Sequence, residues 1–141
     1  MRRGFTLVEI MIVIAIVIVI VTISAPSILR SRVVANEGAA MANLKTIGKA
    51  CQAYHLDSQG YPAALSDLST ANPPYIDNVL GNGSKQGYRF VYGSSDADHF
   101  SINANSSHTG LLKGRYFYMD ESDTIRTRAD APAGPADEIV G

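Results

Sequence analysis

The sequence predicts an α+β fold, with one long N-terminal helix packed on a small antiparallel sheet. Three observations carry this. Phe5 to Leu29 is a 25-residue apolar segment whose only charge is Glu9. Leu44, Ile47, Cys51 and Tyr54 then recur at spacings of three, four and three, one stripe on a helix face. After a run of glycine, proline and asparagine, "GYRFVYG" and "HFSINAN" alternate apolar and polar residues as half-buried strands do.

The elements follow in order. The segment Phe5–Leu29 is long enough to cross a bilayer as a helix. Its isoleucines and valines are poor helix formers in water, but in hydrocarbon a backbone must satisfy its own hydrogen bonds, and helix wins. Pro26 lacks an N–H and is expected to kink the helix, leaving the Thr22 carbonyl without its usual donor, with the Thr22 hydroxyl helping to satisfy the groups this frees. The pattern continues in amphipathic form, so a single helix from about Phe5 to His55 is expected, roughly 75 Å long. Gly60 and Pro62 mark its stop. Residues 63–87 read as loop with a helical turn near Ala63–Leu68. "RYFYMDESDTIRTR" reads as a hairpin around an acidic turn, and "DAPAGPADEIVG" as irregular. Residues 1–4 are thus a short basic start, which the resemblance described below implies is a leader peptide, 5–29 a membrane-length segment, and 30–141 a globular part that includes the helix to about residue 56.

Composition narrows the function. With 141 residues there is room for one domain, and about 110 of them lie outside the leader and membrane segment. The net charge is −1 and falls to −3 without Arg2 and Arg3, so no basic field recruits nucleic acid. Cys51 is the single cysteine, which excludes an intrachain disulfide. His55, His99 and His108 are scattered, and no nucleophile elbow or phosphate loop is present. A membrane-anchored enzyme stays open as an alternative without a motif behind it, tested by activity in the isolated soluble domain. Tyr88, Phe90, Tyr92, Phe100, Tyr116, Phe117 and Tyr118 read as sheet core rather than as a base-stacking surface.

Two features remain. A secretory signal peptide or a plain signal anchor would explain the basic start, the apolar run and the small residues Ser24 and Ala25. Neither explains Glu9, since a lone carboxylate in hydrocarbon costs about 2.5–3.5 kcal/mol. The second feature is the cluster Asp120, Glu121 and Asp123, with Asp130, Asp137 and Glu138 behind it. The plainer reading is a solvated turn; the sharper is a calcium site, because calcium takes six to eight oxygen ligands.

"GFTLVE", Gly4 through Glu9, resembles the processing site of type IV prepilins and of type II secretion pseudopilins. Pro26 falls where many members carry a helix-bending proline, and "YHLDSQGYP", Tyr54 to Pro62, is similar to the helix exit of major, G-like pseudopilins. The resemblance implies a type IV pilin-like fold and a non-enzymatic subunit. A prepilin peptidase would cleave between Gly4 and Phe5 and N-methylate Phe5, and Glu9 would dock against the new amine of a neighbouring copy. It implies residence in the inner membrane with the globular part in the periplasm. Assembly into a homopolymer would then involve minor pseudopilins or pilins and an inner-membrane platform. It also raises the calcium reading of Asp120, Glu121 and Asp123. A secretion pseudopilus is the first expectation, favoured by the missing cysteine pair; a surface pilus for adhesion, twitching motility or DNA uptake is the alternative.

Overall fold

The computed structural model describes residues 4–94 and 98–140; the leader residues Met1–Arg3, which supply the basic start, lie outside them. Helix α1 runs from Leu7 to Ser58, two residues later at its start and three later at its end than the sequence predicts. It continues through Pro26. The Thr22 hydroxyl donates to the Ile18 carbonyl at 2.8 Å and the Ser24 hydroxyl to Ile20 at 2.9 Å. Thr22 thus serves a carbonyl one turn upstream, not the groups expected to be freed by Pro26. The helix closes on Gln59, whose left-handed backbone (φ 57°) lets its N–H reach the His55 carbonyl at 2.9 Å. The stop lies one residue before Gly60.

The predicted stripe is the face that packs. Leu44, Ile47 and Cys51 are fully buried, Ala40 and Ala50 flank them, and Tyr54 is partly buried against the same core. Opposite lies a six-stranded antiparallel meander in sequential order: β1 Ser84–Lys85, β2 Tyr88–Ser94, β3 Phe100–Ser106, β4 Tyr116–Asp120, β5 Arg126–Arg128 and β6 Glu138–Ile139. Register places Phe90 beside Ala104 and Ala104 beside Phe117, so a small residue separates two rings. The next layer pairs Tyr92 with Ile102 and Ile102 with Met119. Gly48 lets helix and sheet approach closely, since a Cβ there would collide with Met119 Cε.

Four sequence readings need correction. Tyr116 and Tyr118 are half-buried on the outer face, because consecutive strand residues point to opposite sides and Phe117 takes the core. The segment before the sheet holds two short helices, α2 Leu65–Thr70 and α3 Asn78–Gly81, the latter capped by Asp77 Oδ1 accepting the Leu80 N–H at 2.8 Å. The two-residue strand β1 was too short to show an alternation. The tail is not wholly irregular. It adds β6, the Val140 N–H bonds the Ile125 carbonyl, and Ala133 is buried where Asn103 Nδ2 donates to its carbonyl at 2.6 Å.

Candidate functional site

The N-terminal half of α1 is bare. Every residue from Gly4 to Ile28 is exposed, and Phe5 is 79% accessible. Among the described residues this is the one helix long and apolar enough to cross a membrane, and none of them covers its membrane-length stretch. An uncovered apolar rod of this kind requires lipid or other protein around it.

Glu9 sits in the first turn, where the chain uses it locally. Thr6 is the N-cap: its Oγ1 accepts the Glu9 N–H at 3.3 Å, and its own N–H donates to Glu9 Oε2 at 3.5 Å. This reciprocal capping box satisfies two of the donors a helix start leaves open, and the carboxylate faces the positive end of the helix dipole. Thr6 was missed at the sequence level, although Thr-x-x-Glu before an apolar run is the pattern that marks such a cap. The Gly4–Phe5 bond lies before the helix, and a Cβ on Gly4 would meet nothing within 4 Å. Pro26 lies far along the same bare rod.

The acidic cluster is a tight turn between β4 and β5. Asp120 Oδ1 accepts the Ser122 N–H at 3.0 Å and the Ser122 hydroxyl at 2.5 Å. Glu121 Oε1 lies 2.9 Å from His99 Nδ1. Asp123 takes a left-handed backbone (φ 57°), and its N–H donates to the Asp120 carbonyl at 3.1 Å. The three carboxylates share a turn but do not converge, and among the described residues no group of three metal-capable side chains is placed to hold an ion.

A second polar feature escaped the sequence reading. Glu37 is the first buried residue along α1 and the one buried charged residue described. Its Oε1 accepts the Arg115 N–H at 2.8 Å, and its Oε2 accepts Arg115 Nε at 3.1 Å and Nη2 at 3.0 Å. Tyr88 donates its hydroxyl to the Arg115 carbonyl at 2.8 Å, and burial, reinforced by Glu37, pushes that phenol's pKa up. Burial likewise pushes the Cys51 thiol up to about 12.

Residues 1–25 match the family model for the prokaryotic N-terminal methylation motif. The chain is also 32% identical over 88 residues to the type II secretion system core protein G of Escherichia coli (strain K12), an alignment covering 62% of this chain and 61% of that protein. The chain is thus similar to pilin-like proteins in its N-terminal motif and over those 88 residues. No solved structure matches it. The alignment spans about three-fifths of that relative's length, and the long helix on an antiparallel meander is consistent with a type IV pilin-like α+β fold.

Proposed function

We propose that this pilin-like chain is a structural subunit of a type II secretion pseudopilus. A prepilin peptidase cleaves it between Gly4 and Phe5 and methylates the Phe5 amine. It waits in the inner membrane as a single-pass protein with its head on the periplasmic side, then polymerises with copies of itself and minor pseudopilins through α1. The observation that carries this reading is the bare, capped apolar rod continuing without a break into the helix that nucleates the head core. Such a rod needs lipid before assembly and neighbouring helices after it. The similarity to core protein G supports the secretion branch of the family.

In the filament, the cleaved amine of Phe5 would lie near Glu9 of a neighbouring copy. A buried carboxylate without a partner costs several kcal/mol, so the pair favours one stacking register over slipped ones. The deciding experiment is deletion of the gene in its own organism. Loss of secreted proteins from the medium with normal surface fibres supports the pseudopilus. Normal secretion with lost fibres, twitching or DNA uptake overturns it in favour of a surface pilus.

A further inference from the structure

The head must be held at one angle on its shaft if copies are to stack regularly, and directional bonds can narrow that angle beyond what close apolar packing sets. The stripe Ala40, Leu44, Ile47 and Cys51 offers similar surfaces one turn apart, and apolar burial has no direction. A slip of one turn, by three or four residues, would rotate the head by about 40–60° and shift it by about 4.5–6 Å. Glu37 stands where the bare rod enters the head, and it is held there by three donors from one residue.

Arg115 is itself fixed from the other side. Tyr88 grips its carbonyl, its guanidinium lies 5.7 Å over the Phe117 ring, and the Gly114 N–H donates to Ser106 Oγ at 3.2 Å. Gly114 has no room for a side chain, since a Cβ would clash with the Tyr88 hydroxyl and lie 3.3 Å from Glu37 Cγ. The fork thus joins α1 to the residue that leads into β4, whose carbonyl Tyr88 ties to β2. The Glu37 side chain is largely buried while that of Arg115 is 46% exposed, so solvent offsets much of the pair's contribution to stability, whereas its directional bonds single out one arrangement.

We propose that the Glu37–Arg115 pair sets the angular and axial register of the head on the shaft, so that both are positioning residues for assembly; the consequence for filaments rests on the pseudopilus reading above. The test uses the full-length chain in detergent, spin-labelled at Ser31→Cys on the shaft and Val91→Cys on the outer sheet face. Cys51 is buried and its thiol stays protonated, so it takes no label. The key variant is Glu37→Gln with Arg115→Met. It removes both charges and the fork, yet Gln can still accept the Arg115-position N–H, so the fold persists. Wild type should give one narrow distance between labels. The double variant should melt within about 5 °C of it, while its distance distribution broadens at least twofold or splits. Arg115→Lys, with charge but no fork, should fall between them. A single narrow distance in the double variant, whatever its melting temperature, overturns the proposal. Failure of the wild type to form filaments would sink the pseudopilus reading alone, because the distance measurement needs no filament.

Discussion

Glu9 has a local role and a proposed intermolecular one, and substitutions that divide them give the sharpest test of assembly. The local role is the capping box, whose two bonds measure 3.3 and 3.5 Å and are exposed. Bonds this long and wet belong at the bottom of the usual range, about 0.5 kcal/mol each, or roughly a factor of two in the equilibrium for starting the helix. The proposed intermolecular role is an ion pair with the amine of another copy, out of water. Removing one partner of a buried pair costs about 3–5 kcal/mol, two to nearly four powers of ten in association. The magnitudes differ enough to decide. Glu9→Gln keeps an acceptor for the Thr6 N–H and loses only the charge. Thr6→Ala loses the hydroxyl acceptor and keeps the charge. Each would be expressed with the prepilin peptidase and assembly platform, and sheared filaments quantified against equal levels of subunit in the membrane. Insertion should be normal in both, since neither makes the segment more polar. Thr6→Ala should assemble within about threefold of wild type. Glu9→Gln should fall by about a hundredfold or more. Wild-type filament yield from Glu9→Gln would refute the reasoning and leave Glu9 as a capping residue only.

Other outcomes follow from the same structure. Mass spectrometry of the membrane form should find methylated Phe5 as the first residue; a mature chain beginning at Ala25 or later would remove the assembly helix and the proposed function with it. Leu44→Ala, at a fully buried position facing the sheet, should cost about 2–5 kcal/mol, lowering the melting temperature by about 10 °C or more for a head of this size. Cys51 has its pKa raised by burial to about 12; the folded state therefore holds its proton after the unfolded state has lost it, so stability contributed by the buried thiol should decline as pH rises from the ordinary thiol range toward 12, seen as a falling urea midpoint. Calcium bound at Asp120, Glu121 and Asp123 would raise the melting temperature by about 10 °C at a hundredfold excess over its Kd. With Asp120 engaged by Ser122 and Glu121 by His99, overlapping melts in calcium, magnesium and chelator are expected instead.

What the sequence disclosed and what it hid divide along the range of the interactions. The rod, its buried stripe and the three main strands were legible because period 3.6 and period 2 are local properties of the chain. Tyr88, Phe90, Phe100 and Ile102 went inward as their alternation required. Tyr116 and Tyr118 were misread because aromatic character was allowed to outweigh alternation. Strand β6 was hidden by its brevity and by the prolines before it; only pairing with Arg126 and Thr127 makes Glu138–Ile139 a strand. The Glu37–Arg115 pair joins residues 78 apart, and no spacing rule reaches that far. Thr6 is different, since its signal was local and went unused.

These ranges also show why one helix serves two environments without conflict. Up to Ile28 the rod carries apolar side chains on all sides and buries none of them within the chain, so its partners must come from outside. From Glu37 onward only one face is apolar, and that face is filled by the chain's own sheet. The change takes less than three turns, through Arg30, Ser31 and Arg32, whose polar side chains belong neither in lipid nor in a protein core. Helical hydrogen bonding continues across that joint, so the rod transmits orientation from one half to the other. Glu9 lies at the free end of the rod and Glu37 at its junction with the head. On the readings proposed above, each carboxylate adds a directional bond at one end of an apolar stretch and so narrows the choice to a single arrangement.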